Sequence, residues 1–317
     1  MALGLGGTLL VTGLLAYALL RTRKHGDELP RQTTGDRRLE LIWTVIPALV
    51  LISVFAYTIV DMSTSPTPGP GLPEGQQPDV IVTGYQYWWR YEYPPGRLHA
   101  QPTSIVTANE LHIPVGRRIL VQLEADLVQH DYWIPQLGKK FDMYPGKTNH
   151  LWLEAKEPGE YEGVCAEYCG HQHAYMRILA IAEPQDQFEA WAAAHLSSEP
   201  PSPPAQAPRA SNSPSYLKQP ETDSPILANP IPADVNEQAR LAAQGRQLFG
   251  QLACGTCHAI AGTEWQAQAG PSLTAYSQRR IISSGVMHHT PKNLAIYLKN
   301  PQAIKPGIYM PNYRLSA

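Results

Sequence analysis

The chain has 317 residues and a formal net charge of −2, with 25 Lys and Arg set against 27 Asp and Glu. It has no basic tract that would hold a nucleic acid, and we exclude that partner. The length allows roughly two domains besides any membrane part, the 30 prolines cluster as in a linker, and the 4 cysteines form two close pairs.

From the N-terminus, Ala2 to Leu20 is apolar and uncharged. At ~1.5 Å per residue this run just crosses a ~30 Å hydrocarbon layer. A signal-peptide core is shorter and has basic residues ahead of it. Here Arg21, Arg23 and Lys24 come after. Leu41 to Val60 is a second run of spanning length, and Pro47 inside it is tolerable in a membrane helix. Both runs are predicted to be transmembrane helices. The loop between them carries Arg21, Arg23, Lys24, Arg31, Arg37 and Arg38. Short loops rich in Arg and Lys stay cytoplasmic, so both chain ends and both cysteine pairs are expected outside. Glu40 sits at the inner edge of the second helix, either as a charge solvated near the headgroups or as a functional group.

Ser63 to Gln77 is rich in Pro and Gly and connects membrane to domain. From Asp79 the pattern becomes β-rich. Ile81 to Tyr93 alternates bulky and polar residues as one strand does. Glu110 to Ala125 reads as two strands about a Pro114-Val115-Gly116 turn, and His150–Ala155 and Met176–Ala182 follow. Such short strands predict a Greek-key sandwich or barrel, rigid enough to present ligands from loops at one end. The aromatics Tyr85, Tyr87, Trp88, Trp89, Tyr91 and Tyr93 fill a β core or line a membrane-facing edge. Phe188 to Leu196 reads as a short helix.

Between Val164 and Met176 the chemistry becomes specific. Cys165 and Cys169 lie four residues apart, His173 four further on and Met176 three beyond that, with Gly170 to allow a sharp turn. Thiolate, imidazole and thioether are ligands that soft copper prefers. Two sulfurs on one side can bridge a pair of metals, which His173 and Met176 then cap. His130, in L-V-Q-H-D-Y-W-I-P, supplies the remaining ligand. A lone C-x-x-x-C outside the cytosol would read first as a disulfide. The added His and Met at fixed offsets turn the reading to metal.

Ser197 to Pro232 is too polar and Pro-rich to pack a core and reads as a linker, with a root-mean-square span of about 30–36 Å if flexible. Asp234 to Leu252 reads as an amphipathic helix running into C-G-T-C-H, where Cys254, Cys257 and His258 match the c-type haem attachment pattern. Half of a zinc site would need a second pair of ligands, and none follows. The sixth haem ligand is commonly Met. Met310 in I-Y-M-P-N-Y is the choice, with Met287, His288 and His289 as competitors.

The runs C-A-E-Y-C-G-H-Q-H-A-Y-M and H-D-Y-W-I-P resemble the CuA site of cytochrome c oxidase subunit II. L-E-L-I-W-T-V-I-P around Glu40 is similar to the same family, and the segment from Gly285 to Pro311 resembles the cytochrome c domain fused to subunit II in some bacterial oxidases. The resemblance covers nearly the whole chain. It implies two N-terminal transmembrane helices (1–62), an all-β cupredoxin domain of Greek-key type (63–196), the linker (197–232) and an all-α class I cytochrome c domain (233–317). Cytochromes of this class end on a helix that packs against the first one. The chain stops at Ala317 without it, so either the sequence is a fragment or the domain is open on one side and holds its haem less firmly, and the domain as given is expected to be less stable. The N-terminus is short for the family, and part of it is expected to be missing.

The resemblance also implies roles. A binuclear CuA centre is bridged by Cys165 and Cys169. One histidine with Met176 caps one copper, and the other histidine with the Glu167 carbonyl caps the second, the histidines being His130 and His173. The Glu167 side chain serves a magnesium ion shared with subunit I. Glu40 lies at the mouth of a proton channel into subunit I. An aromatic over CuA receives electrons. Many members have Trp where this chain aligns Tyr87, next to Trp88, a departure that points away from a diffusing cytochrome c and toward the tethered haem. A linked donor acts at an effective concentration near millimolar.

The implied function is electron input to a respiratory haem-copper oxidase, with oxygen reduced to water and protons pumped. The implied partners are subunit I, subunit III and an upstream donor such as a cytochrome c or a quinol–cytochrome c oxidoreductase. The implied location is the bacterial plasma (inner) membrane, with the cupredoxin and cytochrome domains on its periplasmic face. A CuA subunit of a nitric oxide reductase is an alternative, since the catalytic subunit is another chain. A membrane-tethered copper carrier is another, although it would have no use for haem.

Overall fold

The computed structural model describes residues 2–23, 35–64, 76–195, 234–313 and 315. Lys24 and Arg31 of the basic loop, residues 65–75 of the first connector, Leu196 and the whole predicted linker 197–232 lie outside the described residues. The chain forms two compact units, 1–66 and 67–317.

The first unit consists of helices α1 (Ala2–Arg21) and α2 (Arg37–Thr64). From Gly4 to Arg21 and from Arg37 to Ser63 they expose their Leu, Ile and Val side chains. A helix apolar on every side is suited to lipid rather than water. Thr8, Thr44, Ser53 and Thr58 donate their hydroxyls to carbonyls four residues back, at 2.8–2.9 Å, so these four hydroxyls need no water. Pro47 lies inside α2 without ending it.

The second unit begins with a sandwich of two five-stranded sheets. Its strands are β1 (Val80–Tyr85), β2 (Trp88–Tyr93), β3 (Ile105–Ala108), β4 (Glu110–Pro114), β5 (Arg118–Ala125), β6 (His130–Trp133), β7 (Phe141–Met143), β8 (Asn149–Glu154), β9 (Gly159–Cys165) and β10 (Arg177–Glu183). One sheet has the order β3-β2-β1-β5-β8, the other β4-β10-β9-β6-β7. Strand β1 shows the alternation of a half-buried strand, and Trp89, Tyr91, Tyr93 and Tyr132 fill the core between the sheets. Those aromatics are therefore core residues rather than a membrane-facing edge.

Two expectations change at this level. Ile81–Tyr93 is a hairpin, not one strand: β1 and β2 pair antiparallel from Ile81↔Glu92 to Tyr85↔Trp88, with Gln86 and Tyr87 at the turn. The turn contains no Gly, Pro or Asn, so the alternation runs through it unbroken. The terminal helix α3 (Gln185–Ala194) starts earlier than predicted, because Pro184 stands as its cap and its body buries Phe188 and Trp191. The two strands about Pro114-Val115-Gly116 form as expected but enter different sheets.

The C-terminal part is helical. It comprises α4 (Val235–Gln251), a short hairpin β11 (Ile281–Ile282) and β12 (Met287–His288), α5 (Pro291–Lys299) and α6 (Pro301–Ile304). Asp234 caps α4 by accepting from Asn236 N at 2.9 Å, and Thr290 caps α5 by accepting from Asn293 N at 3.1 Å, with Pro291 in the first turn. Helix α4 has no buried residue among those described, and Leu241 and Leu248 of its apolar stripe stay exposed. Ile282, Val286 and Met287 form a small core with Tyr276, Ile296 and Tyr297 packed against it. Ile281 packs instead with Leu179 and Ile181 of β10, joining this part to the sandwich.

Candidate functional site

The metal-ligand candidates gather where β9 runs into β10. Pairing of β6 with β9 sets Tyr132 opposite Cys165, which brings His130 at the start of β6 beside the first cysteine. The Cys165 amide donates to the Met176 carbonyl at 3.0 Å and closes the loop between them. Cys165 Sγ lies 3.6 Å from His130 Nδ1, 3.8 Å from Cys169 Sγ and 3.2 Å from the Glu167 carbonyl oxygen. Cys169 Sγ lies 3.8 Å from His173 Nδ1 and 3.9 Å from Met176 Sδ. All six donors expected from the sequence converge there. Both cysteines are free thiols, and His130 and Met176 are fully buried.

The hydrogen bond with Cys169, and with it that of His130, holds the Cys165 thiol far below its ordinary range against the opposing cost of burial. One thiolate of the pair is therefore ready for a metal. Two sulfurs, two imidazole nitrogens, a thioether and a carbonyl are a donor set that fits copper, and a buried pocket keeps competing water away.

The turn of the first hairpin braces this loop. Gln86 Nε2 donates to the Cys169 carbonyl at 2.7 Å, and the His171 amide donates to the Tyr87 hydroxyl at 3.1 Å. Gly170 has φ +126°, and a Cβ there would stand 2.5 Å from the Tyr87 hydroxyl, so only glycine fits. Tyr87 is buried against the loop. Trp88, stacked on Tyr85 at 4.5 Å, lines a cavity together with Ile105, His195, Ala259, Gly270 and Ser272. The two adjacent aromatics thus differ: Tyr87 lies against the cysteine loop, and Trp88 borders a cavity shared with residues that follow His258.

Glu167 is half-buried, its carboxylate accepting from Gln129 Nε2 at 3.3 Å and from the Tyr168 amide at 3.2 Å. Glu40 lies in the first turn of α2, where its carbonyl accepts from Thr44 Oγ1. Asp131, beside His130, is buried and bonded by Lys140 at 2.9 Å. Burial raises its carboxyl, and Lys140 counters in part. The pattern H-D-Y-W held no signal for that pair.

In the C-terminal part, a 3₁₀ turn over Cys254–Thr256 leads to His258. His258 Nδ1 donates to the Pro271 carbonyl at 2.7 Å, which leaves Nε2 as the nitrogen free to bind iron. Burial lowers the imidazole below its ordinary value, the Pro271 carbonyl opposing, so the ring is held neutral as a ligand must be. A Cβ on Gly270 would stand 2.8 Å from the His258 ring, so glycine is needed for that approach. Met287 is spent in the small core, and His289 Nδ1 is bonded to the Arg279 carbonyl at 2.9 Å. Met310 lies in the loop after α6, its carbonyl accepting from Gln302 Nε2 at 2.8 Å.

Comparison with known proteins follows the same division. Residues 79–182 match the model of the cytochrome c oxidase subunit II periplasmic domain, residues 2–59 that of its transmembrane domain, and residues 242–317 that of cytochrome c. Cytochrome c oxidase subunit 2 of Alkalihalophilus pseudofirmus is 34% identical over 301 residues, 94% of this chain and 75% of the relative. That of Bacillus subtilis is 30% identical over 300 residues, 90% of this chain and 72% of the relative. The crystal structure of the periplasmic domain of subunit II of cytochrome oxidase from Bradyrhizobium japonicum is 29% identical, covering 37% of this chain and 92% of that one, with a TM-score of 0.33.

Proposed function

Because the chain belongs to the cytochrome c oxidase subunit II family and carries a cytochrome c domain behind its periplasmic domain, we propose that it is the electron-input subunit of a respiratory oxidase that reduces oxygen to water and pumps protons. Membership makes it a membrane protein with a periplasmic domain and an electron-transfer role in a haem-copper oxidase, partnered by subunit I. Its domains imply CuA copper and haem c. When bound, these groups would supply one-electron redox chemistry, with the haem c site as the entry and the copper site as the exit toward subunit I.

The chain's own residues hold and orient the groups. Cys165 and Cys169, with His130, His173, Met176 and the Glu167 carbonyl around them, would hold the copper. Cys254 and Cys257 would anchor the haem covalently, and His258 Nε2 and Met310 would supply its protein ligands. Fixed donors on a rigid sandwich need move little between copper oxidation states. Tyr87, against the cysteine loop, and its neighbour Trp88 are the aromatics we assign to electron entry. The Glu167 carboxylate, beside a copper-capping carbonyl, serves magnesium at the junction with subunit I, and Glu40 opens the proton path there. Subunit III, an upstream cytochrome c or quinol–cytochrome c oxidoreductase, and a bacterial plasma membrane complete the reading.

The observation that carries the proposal is the convergence of three sulfurs, two imidazole nitrogens and a carbonyl oxygen, each within 3.2–3.9 Å of Cys165 Sγ or Cys169 Sγ. Cys169→Ser in the assembled oxidase should abolish the binuclear copper signal, keep the haem c spectrum and stop reduction of the subunit I haem along with oxygen uptake. Unchanged reduction of subunit I would refute the route.

A further inference from the structure

Strand β4 is buried on both of its faces, which a strand at the edge of a sandwich sheet does not achieve by itself. Leu111 and Ile113 belong to the core. Glu110 and His112, on the other face, are 1% and 5% exposed. What covers Glu110 comes from the haem-bearing part of the chain. Its Oε1 accepts from the backbone amides of Arg280 at 2.6 Å and Ile281 at 2.8 Å. Its Oε2 lies 3.7 Å from His112 Nε2, and His112 Nδ1 lies 3.4 Å from Glu183 Oε2. Arg280 Nη1 bonds Glu160 at 2.6 Å, and Nη2 approaches Glu183 at 3.7 Å. Three carboxylates, an imidazole and a guanidinium close one network, and the guanidinium belongs to the haem-bearing part. Glu110 and Glu160 take these bonds from the haem-bearing part, so the network is complete only when the two parts meet.

The same contact has an apolar plug and a polar far end. Ile281 packs with Leu179 and Ile181, and the Arg177 amide donates to the Ser284 carbonyl at 3.0 Å. Ser284 Oγ at 2.7 Å and Lys305 Nζ at 2.8 Å both donate to the Tyr87 carbonyl. Gln172 Nε2 donates to the Pro306 carbonyl at 2.5 Å, and Tyr309 donates to Gln86 at 3.3 Å. The contact therefore ends on the Gln86–Tyr87 turn, whose other side braces the cysteine loop.

We infer that the copper domain carries a built seat for the chain's own haem domain, and that Arg280, Glu110 and Glu160 are positioning residues that hold that domain against the Tyr87 side of the copper loop. The inference rests on the proposed copper site at that loop and names its resident partner. The seat covers the surface through which a diffusing protein donor would approach Tyr87, so such a donor must deliver to the haem domain instead.

The test uses the full chain in the assembled oxidase. Hydrogen exchange is followed at the amides of Arg177, Arg280 and Ile281, and haem-c-to-copper transfer is followed by rapid mixing. Arg280→Gln should raise exchange at these amides by about tenfold or more and slow the transfer, while both cofactor spectra stay unchanged. Arg280→Lys, which keeps the charge, should recover part of both. Glu160→Gln, changed on the copper-domain side, should repeat the effect if Arg280→Gln fails to fold. Unchanged protection in the variants that fold overturns the inference, and so does faster exchange with an unaltered transfer rate. Exchange reports the seat whatever the metal content, so loss of the copper reading would show separately, as a missing copper signal.

Discussion

At Gly170 one hydrogen atom separates a working loop from a blocked one. The residue takes a left-handed φ of +126°, and a methyl group there would press on the Tyr87 hydroxyl. Gly170→Ala should cost about 1–3 kcal/mol and loosen the loop. We expect a lower melting temperature and weaker copper retention, measured by calorimetry and by metal content after dialysis. The ligand residues around it were legible in the sequence because they lie within one short run, Cys165 to Met176, and their spacing is itself a chemical statement. Gln86 and Lys305 were not. Gln86 reaches the Cys169 carbonyl from 83 positions away and Lys305 the Tyr87 carbonyl from 218, and nothing in a local pattern encodes such pairings.

At the scale of elements, β4 is the informative strand. His112 on it stacks on Trp191 of α3 at 4.3 Å and faces Glu110 and Glu183, with Arg280 and Glu160 beyond. Burial would lower the His112 value, but the bonds from Glu110 and then Glu183 outweigh it and raise it. Burial would raise Glu183, but His112 and Arg280 outweigh it and lower it. A raised His contributes stability fully below its ordinary value of 6.5 and loses it as pH climbs through the raised value. A lowered Glu contributes fully above its ordinary 4.5 and loses it as pH falls through the lowered value. The network is thus strongest between these two values. Lys305, brought by burial down to about 7, acts oppositely, because its neutral form is favoured as pH rises. The His112 share is therefore read as a difference: wild type should lose thermal stability relative to His112→Asn as pH rises from about 6 to 9. Equal slopes would show that His112 is not charged in the seat. Periodicity predicted β4 and β5 well but merged β1 and β2, since a turn of Gln and Tyr carries none of the usual punctuation.

For the whole molecule, the sequence divides the chain into a membrane pair, a β domain, a linker and a haem domain, and it represents the last two as a weight on a string. The contacts of Glu110, Ile281 and Lys305 instead join the haem domain to the sandwich within one compact unit. This was not legible, because a carboxylate in a strand and an arginine 170 residues later announce no pairing. It predicts that a chain cut within residues 197–232 keeps its two pieces together on gel filtration at micromolar concentration, and that Arg280→Gln releases them. Raising salt should matter little, since buried charges are screened far less than exposed ones. Release of the wild-type pieces on cutting would mean the tether alone keeps them near each other.

A β4 whose outward side chains serve another part of the same polypeptide has a bearing on descent. In a sandwich without an appended haem carrier, Glu110 would be open to water and Glu183 would lose Arg280, so neither would be needed for a seat. Lineages that lack the appendage are free to replace them, whereas lineages that keep it must change both sides in concert. Substitutions at positions 110, 160, 183 and 280 should therefore track one another through the family tree, and should lapse together on the branches where the appendage was lost.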